Sequence, residues 1–439
     1  MWGYGLNLCY VLLLVLLSPY LLYAAIRKKK YRHGWAEKFL GHCPQRLTKN
    51  RCIWLHAVSV GEVQLLAPII EQIAQRDSTV ECVISTTTLT GRTLAEKKYP
   101  QHIVFYCPLD FTWAVRNAIR RIRPDLLVLS ELELWPNLIF STHRLKIPTT
   151  VINGRLGEKS FRGYRWLQPL IRNMLGCLYL IAVQNKEYAE RFFQLGATTD
   201  QVKVTGSIKF DGAESDRNNL TTANFSKLAD LRADDVIFLA GSTQHPEESL
   251  AIDTFRTLQG EHPELKLILV PRHPERFEEV GRLLDAEQLP WQRRTLLSDT
   301  EQPTPEARIL LIDTVGELSA WWGRADIGFV GGSLSTRGGQ NMIEPAAYSV
   351  AVCFGPHTHN FRDIVTALKS ADAVTVVENG KDLTAFVRRC LSDRAYRKTM
   401  GERASSLVIS SRGATQQTVK CLLDAVDHSH SLLPKSTAA

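Results

Sequence analysis

From Cys52 onward, short apolar runs alternate with longer stretches in which apolar residues recur at helical spacing. The runs CIWLHAV, VECVISTTT, HIVFYCP, PDLLVLSE, IPTTVING and LYLIAVQN read as strands. Between them EVQLLAPIIEQIAQR, GRTLAEKKY and FTWAVRNAIRRIR read as helices, the last with its basic face outward. Such alternation predicts parallel strands joined by crossover helices. A second series follows the polar stretch KFDGAESDRNNLTTANFSKLADLRADD, which reads as an interdomain linker. There VIFLAGST, LKLILVPRH, ARILLIDTV, ADIGFVGGS and AVCFGPH are strands, each feeding a helix or a loop. The predicted fold class is α/β, with two similar open sheets and a cleft between them. In such sheets ligands bind outside the carboxyl ends of the strands, so the chemistry is expected there.

The first segment breaks the pattern. Residues 6–26, LNLCYVLLLVLLSPYLLYAAI, carry no charge and have about the length of a bilayer core. RKKKYRH follows at once, and a basic block after an apolar run predicts a signal anchor whose C-terminal side is cytoplasmic. A cleaved signal peptide competes with this reading, but MWGYG lacks a basic start and Arg27 to Lys30 crowd the would-be cleavage site. The net charge of +8 lets the rest of the chain rest on anionic headgroups. Nucleic acid is the other partner such a charge suggests, yet no zinc finger, RNA-binding aromatic pattern or sustained basic stripe is present. Nine cysteines, an odd number with no CxxC or histidine-paired cluster, read as reduced thiols without a zinc site. A length of 439 residues favours two domains. The division expected is an anchor at 1–26, α/β domains at 27–212 and 213–430, and a disordered tail at 431–439.

Candidate chemistry clusters at the predicted strand ends. In HAVSVGEVQLL, Glu62 opens a helix; it reads either as an acid favoured by the helix dipole or as a general base. In LSELELWPNL a buried strand ends in Glu131 and Glu133, which should face basic groups or a substrate unless they are solvated loop acids. Lys209, beside Gly206 and Ser207 in VTGSIKFD, suits a phosphate or a developing negative charge, with a plain surface lysine as the alternative. Arg272 follows the strand in LVPRHPERF, where a guanidinium can grip a phosphate with paired donors.

In IDTVGELSAWW, Gly316 and Glu317 mark a strand-to-helix junction with free backbone N–H groups. In VGGSLSTRGGQNMIEP, Gly331 and Gly332 let a ligand approach the backbone, and Gly338 and Gly339 permit a second bend. Asn341 and Glu344, three apart, would share one face of a helix that Asn341 begins, suited to ribose hydroxyls and phosphate. His357 and His359 read as polar loop residues rather than metal ligands. The run FRGYRWLQPLIRNMLGCLYL, residues 161–180, reads equally as a membrane-surface segment or a core-packing helix.

These stretches, in this order, resemble the family of 3-deoxy-D-manno-octulosonic acid (Kdo) transferases, which attach Kdo to lipid A precursors. The likeness runs from HGWAEKF through SVGE, ELELWPNLI, VTGSIKFD, LVPRHPERF and FVGGSLSTRGGQNMIEP to GPHTHNFRDI. It implies a glycosyltransferase B-type fold with two Rossmann-like domains facing a central cleft. The acceptor would sit on the first domain and CMP-Kdo on the second, in an inverting, metal-independent reaction without a cofactor. Carried over residue by residue, Glu62 matches the proton acceptor, and Glu131 and Lys209 match residues that assist the transition state. Pro271 and Arg272, then Val315, Gly316 and Glu317, then Asn341, Met342, Ile343 and Glu344 match segments that contact CMP. Where the family commonly has histidine before that asparagine, this chain has Gln340. The expected partners are CMP-Kdo, a lipid A precursor (lipid IVA) and inner-membrane lipids, with the catalytic domains on the cytoplasmic side and one N-terminal transmembrane helix. Two rivals are a UDP-sugar-dependent transferase or epimerase at the membrane, and a non-catalytic nucleotide-sugar binding protein.

Overall fold

The computed structural model describes residues 2–27, 33–298, 304 and 306–431. The chain divides into two compact units: one holds Met1–Gly212 together with Arg412–Ala439, the other Ala213–Ser411. This corrects the expected second domain, whose last stretch belongs to the first unit. The reason is apolar burial: in helix Ala414–Ser431, Val419, Leu422, Ala425 and Val426 are part of the first unit's core. Asp211 fixes the start of that helix, accepting from the backbone N–H of Gly413 at 2.6 Å and from that of Thr415. The tail expected to be disordered lies outside the described residues from 432 on.

In the first unit the strands are β1 (Arg51–His56), β2 (Val80–Thr86), β3 (Ile103–Tyr106), β4 (Leu126–Ser130), β5 (Thr149–Gly154), β6 (Leu180–Val183) and β7 (Val202–Val204). They form one parallel sheet in the order β3-β2-β1-β4-β5-β6-β7. Alternate residues of β1 serve opposite faces: Cys52 and Trp54 join a core with Phe105, Leu127 and Phe192, while Ile53 and Leu55 pack with Val63, Ile84 and Leu422. Burial on both faces is why these strands read as unbroken apolar runs. The run at 161–180 splits into helices Glu158–Trp166 and Gln168–Leu175. Phe161, Ile171 and Met174 enter the core, as the core-packing reading expects, and Trp166 stays 89% exposed.

In the second unit the strands are β8 (Val236–Thr243), β9 (Leu265–Pro271), β10 (Trp291–Arg293), β11 (Ile309–Leu311), β12 (Ile327–Val330), β13 (Ala351–Phe354) and β14 (Val374–Val376). They too are parallel, in the order β10-β11-β9-β8-β12-β13-β14.

The N-terminal helix, Trp2–Arg27, contains an 18-residue window, Gly3–Tyr20, long and apolar enough to cross a membrane. It touches the first unit along a stripe at helical spacing: Asn7 is buried, and Gly3, Tyr10, Leu14 and Ser18 are half-buried. Asn7 donates through Nδ2 to Thr112 Oγ1 at 2.7 Å, and Tyr10 donates to Asp110 Oδ2 at 3.0 Å. Most of the basic block after it lies outside the described residues.

Candidate active site

Each sheet reverses its strand order once, between β1 and β4 in the first unit and between β8 and β12 in the second. At such a reversal the loops from adjacent strands leave in opposite directions and open a crevice above the strand ends. Glu62 and Glu131 follow the two strands of the first reversal, and Gly331 and Gly332 follow one strand of the second; Lys209 follows the edge strand β7, and Val315 to Glu317 follow β11.

After β1 the chain turns into helix Val60–Arg76, capped by Ser59. Ser59 Oγ accepts from the backbone N–H of Glu62 at 3.3 Å and donates to Glu62 Oε1 at 2.8 Å. The Val58 N–H donates to Glu62 Oε2 at 2.9 Å. The helix-start reading of Glu62 is thus structurally real, and the capping bonds also hold the carboxylate in one orientation. Burial nonetheless pushes its pKa up; the Val58 and Ser59 donors oppose this, and the nearby Glu131 charge adds to it. A carboxyl that is fixed in place and raised towards neutrality is suited to accept a proton.

Glu131 follows β4 in the left-handed region, at φ +53°, with its N–H on the Ile152 carbonyl at 2.9 Å. A non-glycine residue held there is strained, and such strain collects at functional sites. Its Oε1 lies 3.3 Å from Lys209 Nζ, both groups about one quarter exposed. Lys209 sits in the short 3₁₀ turn Ile208–Phe210, which is tied at its front by Asn153, whose Oδ1 accepts from the Ile208 N–H at 3.2 Å. Behind it stands Asp211 with its bonds to the C-terminal helix. The return of the chain end to the first unit therefore helps to aim this lysine.

Glu133, two residues on, accepts from Trp135 Nε1 at 3.0 Å. Burial, with the charges of Glu62 and Glu131 as further causes and Trp135 opposing them, pushes it up to about 7. The structure thus brings Glu62, Glu131 and Lys209 into one neighbourhood and adds Glu133. The sequence signal for it was the ELE spacing in an otherwise apolar strand end.

At the second reversal, helix Glu247–Leu258 begins just beyond β8. Glu247 is fully buried, and four backbone N–H groups converge on its carboxylate. Those of Gln244 and Gly332 reach Oε2 at 2.9 and 2.7 Å, and those of Ser333 and Leu334 reach Oε1 at 2.9 and 3.0 Å. This corrects the expectation that Gly331 and Gly332 open the backbone to a ligand. Gly331 is required because a Cβ there would stand 2.6 Å from the Ser242 carbonyl and 2.8 Å from Glu247 Oε2. Gly332 takes φ +65°, with Gln340 and Gln244 closing over it. The loop wraps an internal carboxyl, which burial pushes up against the pull of those four donors.

The Asn341 expectation also changes. The helix begins at Ile343, two residues later than expected, with Met342 as its N-cap; Asn341 Oδ1, just outside it, accepts from the Ile343 N–H at 3.1 Å. Asn341 Nδ2 donates to Glu344 Oε1 at 2.9 Å, so the pair does meet. Burial raises the Glu344 pKa, against the Asn341 bond and the charge of Arg272, which places the exposed Arg272 side chain within electrostatic reach of this pair. Pro271, Met342 and Ile343 are buried, so they offer a ligand no side chain. After β11, Val315 is 78% exposed and Gly316 turns at φ +95°. Glu317 is committed to Arg294 Nε at 2.9 Å and Trp321 Nε1 at 3.3 Å. Among the described residues no three histidine, cysteine or acidic side chains gather as a metal site.

Comparison with solved structures bears on the fold alone: a glycosyltransferase from Rickettsia africae ESF-5 superposes with a TM-score of 0.57 over 88% of this chain and all of that one, at 12% identity. Two Rossmann-like units of this kind define the glycosyltransferase B-type class. A family profile described as 3-deoxy-D-manno-octulosonic-acid transferase (kdotransferase) matches residues 33–212. The 3-deoxy-D-manno-octulosonic acid transferase of Haemophilus influenzae is 31% identical across 94% of this chain and 97% of its own. That of Bordetella pertussis is 32% identical across 85% and 87%. The chain belongs to the Kdo transferase family and is an enzyme of the glycosyltransferase type.

Proposed function

We propose that the enzyme transfers Kdo from CMP-Kdo to a lipid A precursor, lipid IVA, with inversion at the anomeric carbon, at the inner membrane. A hydroxyl oxygen of the acceptor sugar attacks the anomeric carbon of Kdo and Glu62 takes its proton. The carbon–oxygen bond to CMP breaks with both electrons going to the phosphate oxygen. Lys209, already beside Glu131, offsets the charge that develops, and Arg272 holds the departing phosphate. The donor segments are those after β9 and β11 and around Asn341. The N-terminal helix keeps the enzyme where its lipid acceptor resides.

The observation that carries this reading is the orientation of Glu62, fixed by Ser59 and Val58 at the strand reversal of the first unit, beside Glu131 and Lys209. Mass spectrometry of lipid IVA incubated with CMP-Kdo and purified enzyme tests it. An acceptor heavier by one or more Kdo residues is expected, and an unchanged acceptor in the presence of active donor would refute the assignment.

A further inference from the structure

The N-terminal helix does more than present an apolar surface. Between it and the first unit lies a cavity of about 570 Å³, within the range of ~300–1,000 Å³ typical of built small-molecule sites. Leu14, Ser18 and Leu22 of the helix form one wall. Trp35, Phe39 and Leu109 form much of the other, with Lys38 and His33 also lining the space. The lining is overwhelmingly carbon. Trp135 also lines it, and its indole N–H is the group that holds Glu133. Thr87 lines it as well; its neighbours Thr86 and Thr88 both bond the carbonyl of Val58, the residue whose N–H holds Glu62. Two lining residues are thus tied to the carboxylate cluster through short paths of chain and hydrogen bonds.

The outer face of the helix is apolar and bare: Leu12, Val15 and Leu16 are 55%, 65% and 77% exposed. Trp35 and Trp113 are half exposed beside it, and Phe39 stacks on Trp35 with centroids 4.9 Å apart. Partly exposed indoles flanking an apolar helix are the side chains favoured at a membrane–water interface. A molecule in the cavity would thus have the apolar helix on one side, Lys38 against it and, in its wall, Trp135, the partner of Glu133. A long hydrocarbon joined to an anionic sugar matches all three.

We propose that this cavity holds an acyl chain of the lipid acceptor and so sets the acceptor sugar at Glu62. The inference rests on the lipid-acceptor reading above. Burying each methylene favours binding by about four-fold, so loss of even part of the chain's seat should be measurable.

The test compares full-length wild type, Ser18→Trp, which fills the cavity, and Leu16→Trp, which points away from it. Each is assayed with lipid IVA and with the same acceptor stripped of its acyl chains. For Ser18→Trp, kcat/KM is expected to fall about ten-fold or more on the acylated acceptor and to hold on the stripped one, while Leu16→Trp changes neither. Should Ser18→Trp fail to fold by circular dichroism, Leu22→Trp is read in its place. A folded cavity-filling variant that treats both acceptors as wild type does, or loses both equally, overturns the inference. Wild type that modifies neither acceptor refutes the proposed function itself, and the inference falls with it.

Discussion

At the strand reversal of the first unit, Glu62 keeps its carboxylate between two donors, beside two further acids and one lysine. At that of the second, Glu247 stands at the corresponding point, just after the first strand of its sheet, and spends its carboxylate on four backbone N–H groups. The local grammar is the same in both: strand, tight turn, glutamate in the first turn of a helix. What differs is the number of donors that claim the acid. Burial pushes both carboxyls up. Four amides occupy both oxygens of Glu247 and make it a structural pin, whereas two donors leave Glu62 oriented with room on its oxygens to take a proton. A carboxylate at a helix start therefore declares its role through the company of its oxygens rather than through its position.

Four changes probe that contrast, taken from the largest effect to the smallest. Glu62→Gln keeps the Ser59 cap on the backbone N–H and, through its amide oxygen, the Val58 bond, while its NH2 donates to Ser59 where the carboxylate accepted. It removes the proton acceptor, so kcat should fall about a thousand-fold with the melting temperature little changed. A variant within ten-fold of wild type would place the base elsewhere. Glu247→Leu should act in the opposite sense. It leaves four N–H groups without their acceptor and should cost the second unit ~3 kcal/mol or more in denaturant unfolding, with donor binding lost as a consequence. Unchanged stability would show that the loop does not depend on this acid. Lys209→Ala should reduce kcat by roughly ten- to hundred-fold and leave acceptor KM little changed, because its charge matters most in the transition state. A rise in KM alone would make it a binding residue.

The fourth change is read in a pH profile. Glu133, raised to about 7 in part by the charge of Glu62, is protonated in acid and charged above neutrality, where its added charge makes the Glu62 carboxylate a stronger base. Replacing it by glutamine removes that step. The inflection of kcat/KM near pH 7 should then disappear, a change of about a few-fold, while the acid limb stays in place. An inflection that persists near neutrality would separate Glu133 from the proton acceptor.

Much of this was legible in the sequence, for a physical reason. Strands buried on both faces, such as CIWLH and LLVLS, must be unbroken apolar runs, so their places along the chain can be read directly. β7, β10 and β14 were not, because three residues of middling polarity carry no period. The proximity of Glu62, Glu131 and Lys209 was expected from a resemblance and not from spacing. What makes them neighbours is the strand order, which no local pattern encodes. Glu247 was missed although QHPEE repeats the strand–turn–acid form of SVGE, because its partners lie some 85 residues away on another strand. The C-terminal helix was assigned to the wrong unit because an amphipathic pattern does not say which core it covers.

The account's central claim is a division of labour, with proton transfer at the reversal of the first unit and donor binding in the second. Calorimetric titration of CMP into wild type, Glu62→Gln and Arg272→Ala tests it most directly. Wild type and Glu62→Gln should bind alike, and Arg272→Ala at least about ten-fold more weakly. Loss of CMP binding in Glu62→Gln with full affinity in Arg272→Ala would contradict it.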